Sequence, residues 1–185
     1  MKKHQLEETT IASKSIYKGR IISLQVDEVN LPNGKTSTRE IIKHPGAVAV
    51  IPVTNEGKII MVEQYRKAME KALVEIPAGK LEKGEDPLET AKRELEEETG
   101  LQAGQMTKII SFYTSPGFAD ELVYVYLATD LTTPEKRLEV DEDEFVEVLE
   151  LSIEEAKKLV EEERIHDAKT AYAIQYLELL QLKQK

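Results

Sequence analysis

"GKLEKGEDPLETAKRELEEETGL", residues 79–101, is the stretch from which the rest of the chain can be read. Asp86 suits a helix N-cap, Pro87 suits the first helical position, Glu89 completes a capping box with Asp86, and Gly100 is placed to end the helix. Inside it Glu94, Glu96, Glu97 and Glu98 crowd together. Like charges three or four residues apart weaken an isolated helix by roughly 0.2–0.5 kcal/mol per pair. Measured from Glu94 at about 100° per residue, Glu98 lies near +40° and Glu97 near −60°, while Leu88, Ala91 and Leu95 gather between about +60° and +120°. The apolar residues anchor the helix. Glu94, Glu97 and Glu98 form a stripe along one edge of that face, as expected for the wall of a cleft, and Glu96 falls on the far side, solvated. A solvated acidic face is the commoner reason for such a run. Here, however, no Lys stands four residues beyond Glu94 or Glu98.

Strands precede this helix. "GAVAVIPV" (46–53) has the unbroken apolar character of a buried strand. "IIMVEQYR" (59–66) and "ALVEIPAG" (72–79) follow it. Nearer the N-terminus, "IISLQVDEVNL" (21–31) alternates apolar and polar with a slip at Glu28, predicting a strand with a bulge. Asn33-Gly34 predicts a hairpin turn, from which "STREIIK" returns. Residues 1–43 are therefore expected as an antiparallel β-hairpin unit of their own, and 44–185 as a second domain. Beyond the helix, strands are expected at about 106–114, 122–128 and 143–151. A second helix is expected from Ser152, with Glu155 closing its capping box. A third, over 167–182, carries Ala168, Ala171, Tyr172, Leu179 and Leu182 on overlapping faces. This order predicts an α+β fold with a mixed sheet.

The chain has 185 residues and a formal charge of −10. That charge argues against a nucleic-acid partner, which needs clustered Lys and Arg. It also means that an anionic substrate would require a cation from outside. With no Cys there is no disulfide and no thiolate metal site, which fits a cytoplasmic protein. "MKKHQLEETT" lacks the apolar stretch of a secretory signal, and no run is long enough to span a membrane. His4, His44 and His166 are scattered and are read as structural or solvated.

The spacing Gly79, five residues, Glu85, seven residues, Arg93-Glu94-Leu95, one residue, Glu97-Glu98, one residue, Gly100-Leu101 resembles the Nudix box at every defined position. The resemblance implies a Nudix fold, a mixed sheet sandwiched between helices, and a loop–helix–loop whose glutamates hold divalent cations. Oxygen ligands suit Mg²⁺, with Mn²⁺ as a substitute. Glu94 and Glu98 would be the principal ligands, Glu97 a ligand or supporting group, and the carbonyl of Ala78 a further ligand. Gly79 and Gly100 would permit tight turns, and Glu85 and Arg93 would pair to fasten the loop to the helix.

Outside the box, "YTSPGFADE" (113–121) resembles a segment of the ADP-ribose pyrophosphatases, with Pro116, Gly117 and Glu121 as substrate-binding residues. In that branch an N-terminal unit swaps across a homodimer. Arg39-Glu40 matches its "RE" pair, Arg66 matches an arginine near the nucleotide, and Tyr17 matches an aromatic that stacks on adenine. A loop carboxylate distant from the box supplies the base. Within "VDEDEF" (140–145), Glu142 and Glu144 align best, one as base and one as metal ligand, with Asp141 and Asp143 leaving the register open. The expected reaction is hydrolysis of ADP-ribose to AMP and ribose 5-phosphate.

Other readings are a hydrolase of another nucleotide sugar such as GDP-mannose, or a sensor that binds ADP-ribose without cleaving it. Sensors usually lose box glutamates, and all are present here. A Ca²⁺-binding module would need a D-x-D-x-D-G loop, which does not occur.

Overall fold

A computed structural model describes residues 5–135 and 145–183. The chain forms two compact units, one of residues 1–46 with 112–123, the other of 47–111 with 124–185.

The first unit holds β1 (Thr9–Lys18), β2 (Ser23–Asn30) and β3 (Thr36–Lys43), an antiparallel sheet in that order. The β2–β3 hairpin turns as expected. Leu31 N–H donates to Lys35 O at 2.7 Å, Gly34 N–H donates to Leu31 O at 2.9 Å, and Gly34 takes φ +81°, a left-handed conformation that favours glycine. β2 and β3 pair without a slip from Ser23↔Lys43 to Asn30↔Thr36. The expected bulge in β2 is therefore misplaced. The irregularities lie on β1, between Thr10 and Ala12 and between Ser15 and Tyr17, where Ile11 and Ile16 are the extra residues. β1 itself was not expected, because nine of its ten residues are exposed and no burial alternation exists to be read.

The second unit is built from β4 (Ala47–Pro52), β5 (Ile59–Arg66), β6 (Lys71–Glu75), β7 (Ala78–Lys80), α1 (Pro87–Thr99), most of β8 (Gln102–Tyr113) and of β9 (Leu122–Thr132), β10 (Val146–Leu151), α2 (Ile153–Glu161) and α3 (Ala168–Lys183). Its sheets run β7-β4-β9-β8 and β10-β5-β6. Sheets and helices together give the expected α+β class. The single strand predicted over 72–79 is two, split at Ile76-Pro77, where the Pro77 carbonyl accepts Val50 N–H at 2.8 Å. Val48 and Val50 of β4, Ala91 and Leu95 of α1, and Tyr126 and Ala128 of β9 form one buried cluster, with Leu88 packed partly against it. The apolar face predicted for α1 is the face that is buried.

α2 carries the predicted Ser152/Glu155 capping box. At α1 only part of the predicted box forms. Asp86 Oδ1 accepts Leu88 N–H at 2.8 Å, while Glu89 pairs with Lys92 at 2.7 Å. α3 also differs from expectation. Its buried residues are Thr170, Ala173, Ile174 and Leu177, and Leu179 and Leu182 are exposed. The helix is apolar on several sides, so the i, i+3, i+4, i+7 stripe that packs is one of several its sequence permits.

Candidate active site

α1 enters on the Asp86 cap and leaves at Gly100, which takes φ +69° and donates its N–H to Glu96 O at 2.8 Å. Because Ala91 and Leu95 seat it in the core, the residues at the edge of its apolar face are nearly buried as well. Glu94 is 8% exposed and Glu98 4%. β7, paired to β4 through Val48↔Gly79 and Ala49↔Ala78, brings its backbone against these two carboxylates. Ala78 N–H donates to Glu98 Oε2 at 3.0 Å. A Cβ on Gly79 would stand 1.8 Å from the carboxyl carbon of Glu94. Gly79 has no positive φ, so its expected role as a turn residue is corrected: the absent side chain makes room for Glu94.

Arg93 answers the crowding of charge. Its guanidinium meets Glu85 at 3.3 Å, Glu94 at 2.9 Å and Glu97 at 2.7 Å. Burial disfavours its charge, but these three carboxylates more than offset that and raise its pKa above the ordinary arginine value. In return, the bonds from Arg93 hold Glu85 below the usual carboxylate range. The predicted Glu85–Arg93 fastening is present, as one arm of a wider cluster. Glu96, expected to be solvated, accepts Gln102 Nε2 at 2.7 Å.

Glu94 and Glu98, with the carbonyl of Ala78 expected beside them, would offer oxygen donors of the kind that suits a hard divalent cation. The room left by Gly79 for a nearly buried carboxylate fits such a role. Glu97 is turned to Arg93, and among the described residues no three acidic or histidine side chains converge at metal-holding distance. Glu142 and Glu144 lie outside the described residues.

Arg66 ends β5 in a fork on Glu75 of β6, Nε to Oε1 at 2.6 Å and Nη2 to Oε2 at 2.8 Å. Lys169 Nζ also donates to Glu75 Oε2, and to Asp167 Oδ1 at 2.9 Å. Glu75 and Lys169 were not singled out from the sequence. The available signal was a carboxylate inside the apolar run "ALVEIP".

The remaining candidates lie in the first unit. Arg39 forks onto Glu8 at 2.6 and 2.8 Å, while its neighbour Glu40 is exposed. Tyr17 is 57% exposed, and its ring lies so close to Gly19 that a Cβ there would meet it at 2.7 Å. Pro116 and Gly117 form the exposed tip of a loop. Thr114 Oγ1 donates to Glu121 Oε2 at 2.6 Å, and Ile42 N–H donates to Phe118 O at 2.7 Å. Asp120 takes Lys43 Nζ at 2.9 Å and His44 N–H at 2.8 Å, and His44 Nε2 stands 3.7 Å from Glu121. The loop and the end of β3 thus hold each other, with His44 in a structural role.

Two family models match: "NUDIX domain" over residues 43–172 and "Nucleoside diphosphate sugar hydrolase N-terminal domain" over 8–42. The chain is 65% identical over 174 residues to an ADP-ribose pyrophosphatase of Bacillus subtilis (strain 168), covering 94% of each. It is 61% identical over 173 residues to a methanol dehydrogenase activator of Bacillus methanolicus, again over 94% of each. A GDP-mannose pyrophosphatase of Yersinia pestis (strain Pestoides F) is 32% identical over 72% of this chain and 71% of its own. A solved structure described as an ADP compounds hydrolase superposes with a TM-score of 0.84 over 99% of this chain and 98% of its own, at 22% identity, a likeness of fold.

Proposed function

The chain belongs to the NUDIX family, and from that premise we propose that it hydrolyses the pyrophosphate of ADP-ribose to AMP and ribose 5-phosphate with the help of Mg²⁺. The observation that carries the chemistry is the pair Glu94 and Glu98, nearly buried one helical turn apart against the backbone of Ala78 and Gly79. The substrate rests on the likeness to the Bacillus subtilis enzyme.

Glu94, Glu98 and the Ala78 carbonyl would hold the cation, with Glu144 and Glu97 as further ligands and Mn²⁺ as a substitute. When bound, the cation neutralises pyrophosphate charge and makes a water more acidic. A carboxylate, Glu142 or Glu144, with Glu97 as the other candidate, takes the proton of the attacking water. The bond from the attacked phosphorus to the bridging oxygen breaks, leaving two monophosphates. Arg66 binds phosphate oxygens. Arg39, Glu40, Tyr17, Pro116, Gly117 and Glu121 contact the rest of the nucleotide.

We propose further that the protein is a cytoplasmic homodimer in which the N-terminal unit serves the partner. This is supported by Ile11, Ile16, Tyr17 and Ile21, each about half exposed in that unit. A second reading, another nucleotide sugar such as GDP-mannose, is favoured by the Yersinia pestis relative.

Chromatography of products from ADP-ribose, ADP-glucose, GDP-mannose, NADH and diadenosine polyphosphates with Mg²⁺ tests both readings. AMP chiefly from ADP-ribose is the expected result. Faster turnover of GDP-mannose would replace the substrate and leave the chemistry standing. Glu98→Gln is expected to lose at least about 100-fold in kcat with its folded state retained, and near-native turnover would overturn the metal site.

A further inference from the structure

Glu75 is 2% exposed and has two cations on it, where one would balance its charge. Arg66 uses one edge of its guanidinium on it, Nε and Nη2. An arginine has five N–H donors. Among the described residues the others, both on Nη1 and the second on Nη2, have no partner, and 36% of the Arg66 side chain is exposed. The Arg66 guanidinium also lies within electrostatic reach of Glu98 and Asp167.

Lys169 sits in the first turn of α3, and that turn is itself pinned. Asp167 Oδ1 accepts Thr170 N–H at 3.1 Å and Lys169 Nζ at 2.9 Å, and Thr170 Oγ1 accepts Ile76 N–H at 3.1 Å. Adjacent residues of the chain, 75 and 76, are therefore both tied to the start of α3. Two residues further on, Ala78 N–H reaches Glu98.

We propose that Lys169, acting through Glu75, is a positioning residue that fixes the Arg66 guanidinium so that its unused edge faces a phosphate oxygen of the bound nucleotide. The inference rests on the reading of Arg66 as a pyrophosphate-binding residue. A lone Arg66–Glu75 pair would leave the carboxylate free to rotate with the arginine. The ammonium of Lys169, held from behind by Asp167, removes that freedom. Burial pushes the Glu75 carboxyl up, and the bonds from Arg66 and Lys169 outweigh that and hold it below the ordinary range, so it stays an anion at neutral pH.

The test is a double-mutant cycle of Lys169→Met and Arg66→Met, read as KM and kcat for ADP-ribose with Mg²⁺. Lys169→Met is expected to raise KM by about tenfold with kcat changed less than about twofold, the mark of lost binding that ground and transition states share. In the Arg66→Met background it is expected to change KM no further. Unchanged KM in the single variant, or an equal effect in both backgrounds, overturns the proposal.

A second readout is independent of turnover. With ¹⁵N-arginine labelling, the Arg66 Nε–H signal, assigned by its loss in Arg66→Met, is expected sharp and slow to exchange in the unsubstituted protein and broadened in Lys169→Met. An unchanged signal overturns the proposal even where ADP-ribose proves not to be the substrate. Absence of AMP with the expected signal change overturns only the substrate. If Lys169→Met does not fold, Lys169→Gln, which keeps a polar group against Glu75 without the charge, carries the same two expectations.

Discussion

A methyl carbon on Gly79 would lie 1.8 Å from the carboxyl carbon of Glu94, closer than two non-bonded heavy atoms can stand. The backbone there needs no left-handed conformation, so alanine is acceptable to the strand and unacceptable to the carboxylate. Gly79→Ala is expected to keep its far-UV circular dichroism and to weaken Mn²⁺ binding by about 10–100-fold in a paramagnetic titration, because the displaced carboxylate is one of the two proposed ligands. The spacing of the box made Glu94 and Glu98 legible. It did not reveal why position 79 is glycine, since that is a contact between residues fifteen apart in sequence, on different elements. Glu75 was illegible for a similar reason. Its partners come from β5 and from α3, and only the fold brings them together. Glu75→Gln leaves Arg66 and Lys169 facing a neutral group and is expected to cost about 3–5 kcal/mol at pH 7. Because the folded-state pKa of Glu75 is lowered, that contribution is complete above the ordinary carboxylate value of about 4.3 and is lost as pH falls through the lower folded value. Urea denaturation of both proteins from pH 7 downward is expected to show the gap closing only below that ordinary value.

α1 was the most legible element because three independent signals agree on it: the Asp86 cap, the Gly100 stop and the apolar arc of Ala91 and Leu95. Those signals differ in energetic weight. Truncating the fully buried Leu95 to Ala is expected to cost about 2–5 kcal/mol. Losing the one hydrogen bond of the cap in Asp86→Ala is expected to cost about 0.5–2 kcal/mol. The two midpoints of urea denaturation should separate in that order, and the reverse order would mean that the cap, not the core, holds the helix. β1 marks the other extreme. Its sequence "TTIASKSIYK" shows neither period because neither face is covered within its own unit. α3 misled for the opposite reason, offering more apolar residues than its packing uses.

For the whole molecule, the two matched family regions, 8–42 and 43–172, meet near the end of β3. The first structural unit extends to Gly46 and adds residues 112–123. The β2–β3 hairpin was legible in the sequence, while the joining of a distant loop to it depends on the bonds of Ile42, Lys43 and His44 to Phe118 and Asp120. Ile11 and Ile16, the extra residues of the two bulges on β1, are each about half exposed, and the proposed homodimer would cover them. Light scattering after gel filtration is expected to give the mass of two chains for the unsubstituted protein and of one for Ile11→Glu/Ile16→Glu. A single-chain mass for both would remove the dimer.

One consequence of α1 concerns length rather than composition. The same helix seats Leu95 in the core and Glu94 one residue away at its edge, so core and carboxylates share one angular frame. A residue inserted or deleted between Pro87 and Glu94 would turn everything beyond it by about 100°, driving carboxylates toward the apolar cluster and Leu95 out of it. Pro32 and Asn33, exposed at the tip of the β2–β3 hairpin, carry no such coupling. Changes in chain length across relatives of this fold should therefore collect at such tips and stop at the first turn of α1.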